Sequence, residues 1–129
     1  MREGTLKFVS DGHEQSFTCQ LEEHEQEDAF TIFYEETAEE GEGIRNALEL
    51  LPDGRIRLTR SGAVSAEFVF AEGAGTAAAM HTPYGSLSFT VATSEVTVTK
   101  NRQQIGIRLC YRLLEAPLEV HEISYSVTL

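Results

Sequence analysis

Residues 86–91 read Ser-Leu-Ser-Phe-Thr-Val, with polar and apolar side chains alternating at every position. The stretches 16–21 (Ser-Phe-Thr-Cys-Gln-Leu) and 55–60 (Arg-Ile-Arg-Leu-Thr-Arg) have the same period of two, and the longest such run covers 105–113. Successive side chains of a β-strand point to opposite faces, so this period places one face on a core and the other in water. The pattern predicts an all-β protein.

Short turn signals separate these strands: Asp11-Gly12, Pro52-Asp53-Gly54, Ser61-Gly62, Glu72–Gly75 and Pro83-Tyr84-Gly85. The Ala-rich stretch 76–81 is too short and too closely flanked by glycine to favour a helix. Strands joined by hairpins are usually neighbours, and closing the sheet removes its edges. We therefore expect a closed or nearly closed antiparallel up-and-down β-barrel of eight to ten strands, with residues 1–129 as its single domain. A β-sandwich is the alternative architecture.

The alternation changes phase twice. Leu87, Phe89 and Val91 are odd-numbered, whereas Val96 and Val98 are even-numbered. A slip of one residue inverts the two faces of a strand, so we expect a bulge near Ser94-Glu95. A second slip, from Leu118 and Val120 to the odd-numbered residues 123–129, predicts another bulge near His121-Glu122.

The chain carries a formal net charge of −11, and ten of its 21 acidic residues fall between Glu22 and Glu42. A surface this negative repels phosphate backbones, which argues against nucleic acid or an anionic membrane as a partner. The acidic 22–42 segment either keeps the domain soluble or docks a basic partner. No apolar run reaches the length of a membrane span, and residues 1–4 lack the apolar segment of a secretory signal, so we expect a cytoplasmic protein.

Cys19 and Cys110 lie far apart, and neither belongs to a CxxC motif. Reduced, buried thiols are the expectation for a protein of that compartment. The four histidines show no metal-ligand spacing, and no glycine-rich loop precedes a helix. The sequence therefore predicts neither a metal site nor a cofactor, and it defines no catalytic residues.

Three segments in this order, Ile32-Phe33-Tyr34-Glu35-Glu36-Thr37, Arg57–Gly62 and Thr82-Pro83-Tyr84-Gly85, followed by Thr93, resemble the YwiB-like family of small, uncharacterised bacterial proteins. The resemblance implies a calycin or lipocalin-type antiparallel barrel. It implies no catalytic residues, because the family has none assigned.

Arg60 is the residue that departs most from the pattern, because it shares parity with Ile56 and Leu58 and so points toward the core. A guanidinium in that position needs a carboxylate or several carbonyls as partners. Glu36, which shares parity with Ile32 and Tyr34, is the expected partner. In one interpretation this pair is a structural clamp at the barrel end. In the other, Arg60 holds the acidic head of a small ligand, with Tyr34, Glu36 and Tyr84 completing a binding site.

An eight-stranded barrel can be filled by its own side chains or can hold one small ligand. Six aromatic residues (Phe8, Phe17, Phe68, Phe70, Phe89 and Tyr111) are expected inside, so both outcomes are open. The leading hypothesis is a non-enzymatic cytosolic binding module for a small, partly apolar ligand, neutral or anionic, in or at the mouth of the barrel. The alternatives are a protein-interaction or structural domain, using the acidic segment or a homodimer face, and an enzyme with its site at the barrel mouth.

Overall fold

The computed structural model describes residues 1–24, 29–37, 41, 43–114 and 121–129. Their regular elements are all strands. These are β1 (Arg2–Ser10), β2 (His13–Glu23), β3 (Phe30–Thr37), β4 (Gly43–Leu50), β5 (Ile56–Gly62), β6 (Ser65–Phe70), β7 (Ala74–Thr82), β8 (Gly85–Lys100), β9 (Gln104–Leu113) and β10 (His121–Thr128). Within the described ranges, no helix is long and apolar enough to cross a membrane.

The ten strands form a closed antiparallel barrel in which each strand pairs with its neighbours in the chain. The ring closes between β1 and β10, where Leu6 pairs with Val127 on one side and with Phe17 of β2 on the other. The predicted all-β, closed up-and-down barrel is confirmed, at the upper end of the expected strand number.

Local expectations were met in part. The register of β8 against β9 shifts between Thr93 and Glu95, where the phase change predicted a bulge. His121 and Glu122 instead pair regularly with Tyr111 and Cys110, so the second bulge is absent from the described part of β10. Leu118 and Val120, which suggested it, lie outside the described residues.

The predicted turn at Ser61-Gly62 was placed too early. Gly62 still pairs with Ile44 of β4, and the bend follows at residues 63–64. Gly62 has a φ of 112°, and a Cβ atom there would collide with the carbonyl oxygen of Gly43. The glycine thus allows β4 and β5 to approach closely at the end of the barrel where Arg60 lies.

Apolar side chains fill much of the barrel. Eight of the ten strands contribute residues that are at most 1% exposed, namely Leu6, Cys19, Leu21, Phe30, Ile32, Leu48, Ile56, Val91, Leu109 and Val127. The other two strands, β6 and β7, complete this core with Ala66, Phe70 and Ala78. Burial of apolar surface is the main favourable contribution to folding. The barrel therefore has a packed apolar interior, with polar side chains concentrated near one end.

Thr93, at the β8 bulge, is a buried polar residue whose hydroxyl has no hydrogen-bond partner among the described residues. We expect Thr93→Val to raise the free energy of unfolding by about 1 kcal/mol, because an unsatisfied buried hydroxyl is costly. Thr31→Val is a matched control, since the equally buried Thr31 hydroxyl contacts His24 Nε2 at 2.9 Å. Thr31→Val should lower the free energy of unfolding by about 1 kcal/mol, because it removes this hydrogen bond. Urea denaturation measures both, and equal destabilisation would contradict the prediction.

Candidate functional site

A cavity of about 260 Å³ lies at the end of the barrel that carries the β1–β2 and β5–β6 connections. We call it the mouth cavity. Its apolar wall is formed by Phe8, Leu58, Phe68, Phe70 and Ile123, and its polar groups include those of Tyr34, Glu36, Asn46, Arg60, Tyr111 and Tyr125. The barrel is thus packed with side chains but keeps a space at one end, which combines the two outcomes left open by the sequence.

Arg60 on β5 is held by one side chain of β4 and one of β3. Its Nε donates to Asn46 Oδ1 at 3.1 Å, and its Nη2 donates to Glu36 Oε1 at 3.3 Å. Asn46 Nδ2 also donates to Glu36 Oε1, at 2.9 Å. The three side chains therefore form a closed network, and the expected pairing of Arg60 with Glu36 is present.

Strand register explains how this network forms. Asn46 on β4 pairs with Tyr34 of β3 on one side and with Arg60 of β5 on the other. Glu36 lies two residues beyond Tyr34 on the same face of β3 and reaches back toward Asn46. Asn46 is 3% exposed, whereas the Arg60 and Glu36 side chains are 24% and 27% exposed. The network therefore runs from the buried wall to the solvent at the mouth.

Two buried tyrosines lie deeper in the mouth cavity. Burial raises the pKa of Tyr34 to about 12, and the negative charge of Glu36 adds to the effect. Burial also raises the pKa of Tyr125 well above its usual range, and the nearby Tyr34 contributes. Both phenols therefore stay protonated at neutral pH. They are hydrogen-bonded to each other, so one of the two O–H groups is left to donate into the cavity.

Aromatic rings form the opposite side. Phe70 contacts Tyr111 with 5.2 Å between ring centroids, and Phe8 contacts Tyr125 at 5.1 Å. Tyr111 in turn stacks on His121, whose Nδ1 lies 3.2 Å from Asp11 Oδ2 in the β1–β2 turn. The backbone N–H of Glu122 also donates to Asp11 and lowers the pKa of its carboxyl group. These contacts tie the β1–β2 turn to the rim of the mouth.

Tyr84 does not join the other predicted site residues. It lies in the β7–β8 turn, is 89% exposed, and is not among the described residues that line the mouth cavity. The structure thus brings Arg60, Glu36 and Tyr34 to one cavity and leaves Tyr84 on the surface of a neighbouring hairpin.

Asn46 and Tyr125 were missed by the sequence analysis. A usable signal existed for each: Asn46 shares parity with Ile44 and Leu48, and Tyr125 shares parity with Ile123 and Val127. A polar residue in an inward series is a candidate for the same network as Arg60. Parity alone did not reveal which strands would bring these residues together.

The cysteines are both buried and free. Cys19 belongs to the interior cluster, whereas the Cys110 thiol lies 3.7 Å from Glu95 Oε2 on the outer side of the wall. Burial raises the pKa of both thiols. Among the residues that the structure describes, no group of His, Cys, Asp or Glu side chains could hold a metal ion.

A larger depression of about 550 Å³ lies at β6, β7 and β8, beside Ala77, Ala79 and Ser88. Among its described lining residues, Glu67 is the sole charged group. It offers space without a converging set of polar atoms. The mouth cavity is smaller but combines charged, phenolic and apolar groups, and it is the better candidate site.

Fold and site together define a closed ten-stranded antiparallel barrel with an amphipathic cavity at one end. The chain belongs to the family described as a domain of unknown function (DUF1934), whose model matches residues 5–127. The crystal structure of the ywiB protein from Bacillus subtilis is similar, with a TM-score of 0.73, 18% sequence identity, and coverage of 98% of this chain and 89% of that one. No curated protein matches the chain. The predicted resemblance to YwiB-like proteins is confirmed, and it establishes the fold.

Removal of Asn46 tests the network. We expect Asn46→Ala to lower the free energy of unfolding by about 2–3 kcal/mol, because two hydrogen bonds to charged groups are lost in a buried position. Glu49→Ala is the control on the outer face of the same strand, where Glu49 pairs with Arg57. It should cost less than about 1 kcal/mol, because this pair lies on the outer wall with Arg57 39% exposed, where solvent screens the charges. Similar losses in the two variants, measured by urea denaturation, would contradict this prediction.

The raised pKa of Tyr34 predicts a loss of stability at alkaline pH. The unfolded phenol ionises near pH 10 and the folded one near 12, so its contribution is complete below pH 10 and disappears as the pH rises toward 12. The full contribution is roughly 2–3 kcal/mol. Between pH 9 and 12, the free energy of unfolding from denaturation curves should therefore fall less steeply with pH for Tyr34→Phe than for the wild type. Parallel curves would show that the phenol is not buried in its neutral form.

Proposed function

We propose that the protein is a non-enzymatic binding module that holds a small, partly apolar molecule with a polar head in the mouth cavity. One observation carries the proposal: the wall of this cavity presents a preoriented arginine on one side and aromatic rings on the other. Binding sites typically combine apolar walls with a few fixed polar groups.

The size of the cavity limits the occupant. Sites for drug-sized ligands enclose roughly 300–1,000 Å³, and the mouth cavity of about 260 Å³ falls just below that range. A compact metabolite fits this volume better than a lipid with a long chain. The packed core beneath the cavity also argues against deep penetration of the barrel.

The clamp interpretation assigns the network of Arg60, Asn46 and Glu36 a second role, which is to stabilise the barrel end. The two roles are compatible, because side chains fixed by their neighbours bind a ligand with less loss of conformational entropy. A binding site built on strands is also more rigid than one built on loops.

The acidic segment receives less support as a docking surface. Of its described acids, Glu23 lies at the end of β2 and pairs with Arg2 and Lys100. Glu36 lies at the opposite end of the barrel, in the mouth. Residues 25–28, 38–40 and 42 lie outside the described ranges. Four expectations stay predictions: docking of a basic partner, a homodimer, the lack of nucleic-acid or membrane binding, and a cytoplasmic location.

Thermal denaturation with a panel of small amphiphiles, comprising aromatic and short aliphatic acids, amides and alcohols, tests the proposal. A ligand at 100 times its Kd stabilises the native state by about 2.7 kcal/mol, which raises the Tm by several degrees. Leu58→Trp should abolish the shift by filling the mouth cavity. Leu87→Trp adds the same ring at an exposed position of β8 and should retain it. An unchanged Tm across the panel, or an undiminished shift in Leu58→Trp, would refute the proposal.

A further inference from the structure

The guanidinium of Arg60 has N–H groups that its neighbours do not use. Of the five N–H donors of an arginine, Nε donates to Asn46 and one on Nη2 donates to Glu36. The other three show no hydrogen bond to any described residue. Two of them belong to Nη1 and one to Nη2. We call the side of the guanidinium between Nη1 and Nη2, at the tip of the side chain, the end-on edge. Two parallel N–H groups on such an edge match the two oxygens of a carboxylate.

The same contacts fix the orientation of this edge. Asn46 is buried and holds Nε, while Glu36 holds Nη2 from the next strand but one. The guanidinium plane cannot rotate without breaking a hydrogen bond. The end-on edge is therefore preorganised, and a ligand need not immobilise a free side chain when it binds.

The charges of the cavity and of the whole chain favour a singly charged head group over a more highly charged one. Among its described lining residues, Arg60 is the sole cation and Glu36 the sole carboxylate, so the charges of these two side chains cancel. A singly charged head gains the hydrogen bonds of Arg60 at the cost of moderate repulsion by Glu36. A phosphate carries more negative charge, which strengthens its attraction to Arg60 and its repulsion by Glu36 together, so the net charge of −11 on the chain is what disfavours it.

The phenol of Tyr111 and one O–H of the hydrogen-bonded Tyr34–Tyr125 pair add donors to the same cavity. Donors therefore outnumber charged acceptors around the space, which favours a head that mainly accepts hydrogen bonds. The rings of Phe68 and Phe70 are stacked, with centroids 6.3 Å apart and planes inclined by 12°, and they offer an apolar surface for the rest of the molecule.

We infer that the occupant of the mouth cavity is a small organic monocarboxylate, whose carboxylate binds the end-on edge of Arg60 and whose apolar body packs on the aromatic wall. This inference rests on the proposed function and specifies its ligand class.

Isothermal titration with three probes that share a phenylalkyl body tests the inference: 3-phenylpropanoate, its neutral amide 3-phenylpropanamide, and 2-phenylethyl phosphate. The wild type should bind the carboxylate at least about tenfold more tightly than the other two. Arg60→Gln should lose this preference. Arg57→Gln is the matched control, because Arg57 lies on the outer face of the same strand and pairs with Glu49. It should keep the preference in full.

An equal or tighter affinity of the amide or the phosphate for the wild type overturns the carboxylate assignment and leaves the proposed binding function intact. This comparison needs no variant, so it stands even if Arg60→Gln does not fold. A preference that persists in Arg60→Gln overturns the role of Arg60. If none of the three probes binds, the carboxylate assignment fails, and the binding function fails with it only when the wider amphiphile panel also leaves the Tm unchanged.

Discussion

The hydrogen-bonded ladder between β1 and β10 is the constraint on which the rest of the structure depends. It turns a meander with two exposed edges into a ring in which every strand has two neighbours. Once the ring is closed, the register of each pair must agree with all the others, because a slip of one residue would exchange inside and outside. The bulge between Thr93 and Glu95 absorbs the one phase change that the described part of the sequence contains.

Closure also makes inward-facing polar residues expensive unless they find partners. Arg60 cannot turn to the outside without leaving the register of β5, so its charge must be matched inside. Asn46 supplies the acceptor from β4, and Glu36 supplies the negative charge from β3. The polar end of the barrel follows from this requirement, as does the cavity beside it, because long polar side chains pack less completely than the Leu and Ile residues of the core.

The closed sheet was predicted from the short turns and the need to remove sheet edges, with a β-sandwich as the alternative. The alternation of residues 86–91 and 105–113 predicted strands, and it predicted the inward face of 105–113, whereas Leu87 in the first run is 57% exposed. It also gave the partner of Arg60, because Glu36 has inward parity on a nearby strand. Parity says which face a residue occupies but not its height along the barrel axis. For that reason it overlooked Asn46, whose role depends on its register between Tyr34 and Arg60. Tyr84 was assigned to the site without a parity argument, and it lies in a hairpin turn exposed to solvent. The Ser61-Gly62 turn was misplaced because a glycine at positive φ can end a strand as well as form a turn.

The two arginines of β5 show what distinguishes the mouth from an ordinary ion pair. On the outer face, Arg57 donates from Nε and Nη2 to both oxygens of Glu49, at 3.2 and 3.0 Å, in a bidentate pair. On the inner face, the same two nitrogens of Arg60 are shared between an amide and one carboxylate oxygen. If stability alone mattered, a second bidentate pair would serve. The inner arrangement instead holds the guanidinium by the neutral amide of Asn46 and by one oxygen of Glu36. It leaves the end-on edge for another acceptor. Under the proposed function, this arrangement is what lets Arg60 serve the barrel end and still present an N–H edge to a ligand.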